Sequence, residues 1–267
     1  MQVREDLAAT ALAAAIEENG AEFLLAMGRA GGGEERNDAI RWIIGGSPIG
    51  YHNAVVAARL DADNANAEIA ASIARLHAHG VPGSWHVGPG MTPADLDQRL
   101  VDHGFDYAGD DIGMAADLGA VQQPGVPAGL TIGRVATPED LAIWVATLAK
   151  GFGEGPGEAE WVGEIYARLG LANPAWRHYL ARLDGKPVAT ATLFLGAGVA
   201  GVYFVFTLPQ ARSRGVGAAI TVAPLLEARA LGYRIGVLGA SSMGEPVYRR
   251  IGFREYCRIG LFEWREG

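Results

Sequence analysis

The segment Arg212-Ser213-Arg214-Gly215-Val216-Gly217-Ala218 constrains this chain more than any other. It lies between a β-branched and aromatic run, Val202-Tyr203-Phe204-Val205-Phe206, and an alanine- and leucine-rich run that ends at Gly232-Tyr233. The first run favours a strand and the second a helix, with Pro209 marking the break. Two glycines at a helix start leave several backbone N–H groups without intrahelical partners, at the positive end of the helix dipole. Such a nest grips a phosphate, and Arg212 and Arg214 add charge to it. No Gly-Lys-Ser/Thr follows, which excludes a Walker loop. Gly196-Ala197-Gly198-Val199-Ala200-Gly201 matches a dinucleotide fingerprint letter by letter. A strand follows it where a helix is required, and position 221 holds Thr where an acid is required, so a hairpin loop is expected.

Residues 117–130 contain Pro124, Gly125, Pro127 and Gly129 without periodicity and read as a linker. Beyond it the pattern predicts a strand at 130–134 and a helix from Thr137-Pro138 to 150, then a glycine-rich loop at 151–157. A helix at 158–169 and strands at 177–183, 188–195 and 202–207 follow. After the helix that opens near Gly215 come a strand at 235–238, a short helix at 246–251 and a strand at 256–264. That order is α+β around one sheet. The first half predicts helices at 4–18 and 21–30, strands at 39–44 and 54–60, and a helix at 64–79 capped by Gly80. A strand at 84–88, a helix started by Thr92-Pro93 and running to 103, and a strand at 112–116 complete it.

A length of 267 residues suits two domains. Twenty-two basic against 30 acidic residues give a net charge of −8, which excludes a nonspecific nucleic-acid binder. Cys257 is the single cysteine, so one chain holds neither a disulfide framework nor a thiolate zinc site. The six histidines show no metal-ligand spacing; His77 and His79 stand two apart on a predicted helix, on different faces. The apolar run at 7–16 is short of the roughly 20 residues of a membrane span. Glu5 and Asp6 precede it where a signal peptide needs basic residues, so a cytoplasmic protein is expected.

Arg212-x-x-Gly215-x-Gly217 after a strand, with the box Val247-Tyr248-Arg249-Arg250-Ile251-Gly252-Phe253 some way downstream, resembles the Gcn5-related N-acetyltransferase (GNAT) superfamily over about residues 130–265. Pro224, inside the helix after the loop, departs from the pattern. Residues 85–116, with Trp85-His86-Val87-Gly88-Pro89 and His103-Gly104-Phe105, look like the closing portion of the same fold. No Arg-x-x-Gly-x-Gly precedes them, and the acidic stretch 61–66 stands in its place. The resemblance implies two GNAT-like domains, each a mixed, mostly antiparallel central sheet flanked by helices. Residues 1–120 would form a degenerate N-terminal copy and 130–267 the acetyltransferase domain.

The resemblance also implies direct transfer from acetyl-CoA, in which an amine attacks the thioester and a tetrahedral intermediate expels the CoA thiolate. It assigns donor binding to Arg212, Ser213, Arg214, Gly215, Val216, Gly217 and Ala218, and to the backbone of Val205, Phe206 and Thr207. Tyr248 matches the family's acid for the departing thiolate. The proton acceptor stays open among Glu154, Glu158, Glu160, His178 and a water chain, because 202–207 carries no carboxylate. Phe152, Glu154, Trp176 and His178 are the candidates for the acceptor side, with Trp85 and Trp161 as further aromatics. The expected acceptor is a small-molecule amine, and the expected protein a monomer or homodimer without a membrane or metal. One rival reading keeps the fold but takes the acyl group from aminoacyl-tRNA, using Arg212, Arg214, Arg249, Arg250, Arg254 and Arg258. Another is a noncatalytic CoA-binding protein.

Overall fold

The computed structural model describes residues 2–151 and 156–265. Its internal contacts divide the chain into two compact units, one of Gly20–Gly113 with the residues from Cys257 on, the other of the residues up to Asn19 with Met114–Tyr256.

In the first unit the chain leaves helix α1 (Ala9–Ala30) for an antiparallel series, β1 (Glu34–Asn37), β2 (Ile40–Ile44) and β3 (Ala54–Ala58). Helix α2 (Ala62–His79) then crosses to β4 (Gly83–Val87), which pairs parallel to β3. Helix α3 (Leu96–Asp102) leads into β5 (Asp106–Asp117). The core gathers Ile40, Trp42, Val55, Ile69, Trp85, Leu100, Phe105 and Phe262. Trp85 donates its indole N–H to the buried Ser72 hydroxyl at 3.0 Å, so this large ring is buried without an orphaned donor.

In the second unit β6 (Leu130–Arg134), β7 (Trp176–Leu183), β8 (Lys186–Gly196) and β9 (Val199–Thr207) form an antiparallel series, with α4 (Pro138–Leu148) and α5 (Gly157–Leu169) between β6 and β7. Helix α6 (Val216–Ala230) crosses to β10 (Ile235–Ala240), which pairs parallel to β9. Helix α7 (Glu245–Arg250) follows, and then β11 (Arg254–Trp264), whose residues from Cys257 on belong to the first unit. Each unit thus contains the same local order: antiparallel strands, a helical crossover, a parallel partner and a short helix.

Several elements differ from the sequence expectations for identifiable reasons. The two N-terminal helices are one, α1, which begins at Ala9 and continues through Gly20 to Ala30. Strand β1, Glu-Glu-Arg-Asn, lacks any apolar signal, as an edge strand can. Thr92 caps no helix: α3 starts at Leu96, and the Thr92 hydroxyl donates to Leu60 O at 3.1 Å. Other readings hold. Thr137 accepts from Asp140 N–H at 3.1 Å as the cap of α4, and Gly80 closes α2 at φ 62°. Ala197 and Gly198, at φ 51° and 76°, form the two-residue hairpin turn between β8 and β9, which disposes of the dinucleotide fingerprint.

Candidate functional site

Strands β9 and β10 pair only at Ala200 with Gly236 and Gly201 with Val237. Beyond those positions they part, although β9 runs on to Thr207 and β10 to Ala240. On its other side β9 stays paired with β8 through Thr207, with a register shift between Thr190 and Thr192. The one extra residue on β9 accommodates Phe204 at φ 49°, a bulge held by Thr190 Oγ1 donating to Phe204 O at 2.9 Å. The parting therefore exposes one backbone edge at Val205 and Phe206 while the opposite edge remains fixed.

The chain then turns through Ser213 at φ 58° and Gly215 at φ 81° into α6. Left-handed backbone is costly for most L-residues and free for glycine, which is why Gly215 occupies the N-cap. No side chain caps this helix, and the first backbone bond in it runs from Ala219 N–H to Gly215 O at 3.0 Å. The N–H groups of Val216, Gly217 and Ala218 are therefore left at the positive end of the dipole. Arg212 donates through Nε to Thr207 O at 3.1 Å and lies 5.9 Å from the Phe206 ring centroid, so its guanidinium is anchored beside the loop.

These elements enclose a cleft of about 540 Å³. Val205, Phe206, Thr207, Arg212, Ser213, Gly215, Gly217, Ala218 and Tyr248 line it. Val216 has its side chain in the core and Arg214 is exposed outside the lining. The cleft also takes in Gly151, Ser241, Met243, Gly244, Pro246, Val247 and Arg250, which lie outside the residues that the resemblance assigns to donor binding. Gly151 opens the glycine-rich loop, and the others stand shortly before or within the Tyr248 box, where position was their signal.

Tyr248 is 8% exposed, and its ring packs against Phe253 with centroids 6.2 Å apart. Phe253 N–H donates to Tyr248 O at 3.0 Å after Gly252 turns the chain at φ 105°, which explains the spacing of Tyr, Gly and Phe in the box. Burial pushes the Tyr248 phenol up to about 12, so it carries its proton across the neutral range.

The acceptor-side candidates lie elsewhere. Phe152 and Glu154 are outside the described residues. Trp176 and His178 on β7 are buried and do not line the cleft. His178 stacks on Tyr166 at 3.8 Å, its Nδ1 is 3.0 Å from Thr192 Oγ1, and burial depresses its pKa to about 3. Glu158 and Glu160 sit in the first turn of α5. Among the described residues no cluster of His, Cys, Asp and Glu suits a metal ion. No helix among them is long and apolar enough to cross a membrane.

The first unit repeats the parallel pairing and closes the gap that the second leaves open. Strands β3 and β4 pair at Ala54 with Ser84 and Val55 with Trp85. There Thr92 N–H donates to Ala58 O at 3.0 Å and Leu60 N–H to Thr92 O at 3.3 Å, so the edge of β3 is occupied by the chain itself. Asp61 and Asp63 stand at the start of α2, where an anion would bind.

The second unit thus runs an open strand edge into an uncapped helix start that suits a phosphate. Residues 126–248 match the family model described as Acetyltransferase (GNAT) domain. The chain's fold is similar to that of a GCN5-related N-acetyltransferase from Kribbella flavida, at 20% identity and TM-score 0.72, covering 93% of this chain and 96% of that one. It is similar to a conserved Staphylococcus epidermidis protein described as functionally unknown, at 14% identity and TM-score 0.67, covering 86% and 93%. A tandem GNAT protein from the clavulanic acid biosynthesis pathway aligns at 15% identity and TM-score 0.60, covering 85% of this chain and 78% of that one. No curated protein matches the chain.

Proposed function

We propose that the protein is an acetyl-CoA-dependent N-acetyltransferase that acylates the amine of a small molecule, with its active cleft in the second unit and a degenerate N-terminal copy in the first. The observation that carries this reading is the continuity of one cleft from the open edge of β9 to the uncapped start of α6 and to Tyr248. Uncapped N–H groups beside Arg212 and Arg250 fit a diphosphate, and the free edge at Val205 and Phe206 fits an extended amide-bearing arm. The donor supplies a thioester-activated acyl group. Within the cleft the β9 edge offers fixed backbone donors to a developing oxyanion, usually the largest catalytic contribution. Tyr248 Oη holds a proton at neutral pH and delivers it to the departing sulfur.

The donor loop extends over Arg212, Ser213, Arg214, Gly215, Val216, Gly217 and Ala218, where Val216 acts through its N–H and Arg214 from outside the cleft wall. For the first unit, the Thr92 pairing and the acidic start of α2 support the loss of a cofactor site. Against an aminoacyl-tRNA donor stands the engagement of Arg249 by Glu245 at 2.6 Å and Glu255 at 3.2 Å, which removes a cation from the basic tract such a donor needs. Calorimetric titration with acetyl-CoA and, in parallel, with charged tRNA tests the reading. Saturable binding of acetyl-CoA that Arg212→Ala weakens supports it; binding of the tRNA alone, or of neither, overturns it.

A further inference from the structure

The stretch that occupies the edge of β3 in the first unit also builds the wall of a separate cavity. Thr92 bonds back to Ala58 and Leu60, whereas its neighbours Met91 and Pro93, with Pro89, line a space of about 690 Å³. Every residue of that lining belongs to the first unit. Leu96 and Val101 on α3 and Phe262 on β11 add further apolar surface. Small-molecule sites commonly span about 300–1,000 Å³ and combine apolar walls of this kind with a few fixed polar groups.

The polar part of the lining selects the charge of a ligand. Tyr107 is 56% exposed yet held at both ends: its hydroxyl donates to Asp110 Oδ1 at 2.7 Å, and its ring lies 5.4 Å from that of Phe262, centroid to centroid. A ring fixed in this way loses little further freedom when a ligand meets it. Arg258 Nη1 stands 3.5 Å from Asp110 Oδ2, so the cation of the lining already has a carboxylate. Asp97 has no cation of its own among the described residues; its Oδ1 accepts from the Gln98 N–H at 2.8 Å. Two carboxylates against one guanidinium leave the lining net negative. Residues 95–111, which supply much of it, carry six Asp against Arg99 alone, itself paired with Asp95 at 3.0 Å. An anion is repelled here, and a neutral apolar ligand gains nothing from Asp97. An ammonium ion pairs with Asp97 and is attracted by the rings of Tyr107 and Phe262 as well.

We infer that the first unit binds a small organic ammonium ion with an apolar body, its charge at Asp97 and its body against Met91, Val101 and the Tyr107–Phe262 pair. The site shares no residue with the cleft proposed for the acyl donor and does not depend on that reading.

Solution NMR on the full chain tests this with phenethylammonium as the probe. Intermolecular Overhauser contacts are expected from the probe to the Met91 methyl group and the Tyr107 ring. Titration is expected to saturate, and Asp97→Asn to weaken it about two- to fivefold, the worth of one solvent-exposed ion pair. Tyr107→Ala is expected to weaken it by a similar factor, through the lost ring. Phenylpropionate, of similar size and opposite charge, is expected to bind the unaltered chain more weakly than the probe and to gain on it in Asp97→Asn. Asp97 and Tyr107 are both exposed, and an unchanged thermal midpoint verifies that each variant folds as the parent does. Absence of contacts to Met91 and Tyr107, equal affinity for phenylpropionate, or binding of a lysine-rich peptide without binding of the amine each overturns the inference. Should a variant fail to fold, the contacts and the charge comparison on the unaltered chain decide alone.

Discussion

At the scale of single residues the proposed reaction turns on one proton. Tyr248 keeps its hydrogen because burial disfavours the phenolate, and burial raises its pKa to about 12. Tyr248→Phe retains the ring against Phe253 and removes only the donor. Steady-state kinetics of this variant are expected to show kcat lowered by about 10²-fold or more, the lower end for general-acid help, with the donor KM nearly unchanged. The raised pKa also fixes a sign. An acid must be protonated to act, so any fall in rate due to Tyr248 begins only as pH approaches about 12. A fall in kcat below pH 9 that Tyr248→Phe abolishes would contradict the placement of this phenol.

At the scale of elements the cleft depends on close approaches that only glycine permits. A Cβ on Gly151, at the end of α4, would lie 2.4 Å from Phe206 Cδ2 and 2.5 Å from Cε2. The Phe206 ring would have to swing away from its place beside Arg212, at the edge proposed for the donor. Overpacking of this kind costs about 1–3 kcal/mol. Gly151→Ala is therefore expected to weaken acetyl-CoA about tenfold in calorimetry, with a smaller change in thermal midpoint than in affinity. Gly215→Ala places a Cβ at φ 81°, costs about 1–2 kcal/mol of left-handed strain, and is expected to lower both affinity and stability.

Elements of this kind were legible from sequence where the signal is local. The caps at Thr137 and Gly80, the turn at Ala197-Gly198 and the loop into α6 each depend on a few adjacent residues whose chemistry allows little else. What was not legible depends on distant pairing. Nothing in Glu34–Asn37 announces a strand, because its edge position asks for no apolar face. Thr92-Pro93 has the letters of a helix start, yet Thr92 is claimed by Ala58 and Leu60, more than thirty positions away in the chain. His178 likewise reads as a candidate base on a strand until Tyr166 and Thr192, from two other elements, are seen to enclose it.

At the scale of the whole molecule, each unit carries a buried histidine whose pKa burial depresses, and acid stability follows from them. Burial pushes His86 in the first unit and His178 in the second down to about 3, from an ordinary value of 6.5. His86 Nε2 lies 3.0 Å from the buried Ser84 hydroxyl, and the positive charge of His52 would further oppose its protonation. Below pH 6.5 the unfolded chain binds protons that the folded chain refuses. Stability from these two groups is therefore complete above 6.5 and is lost as pH falls toward 3. One proton of difference gives a slope of about 1.4 kcal/mol per pH unit. Asp111, raised by burial, opposes this below its own titration, and Asp117, lowered chiefly by its hydrogen bond from Arg234, adds to it, though that pair is largely solvent-exposed and screened. Urea unfolding between pH 6 and 4 is expected to show stability falling with pH, and His178→Phe or His86→Phe to reduce the slope by about 1.4 kcal/mol per pH unit for the unit that holds it. An unchanged slope in His178→Phe would mean that the imidazole is protonated inside the fold, which a histidine enclosed by Trp144, Tyr166 and Thr192 does not allow.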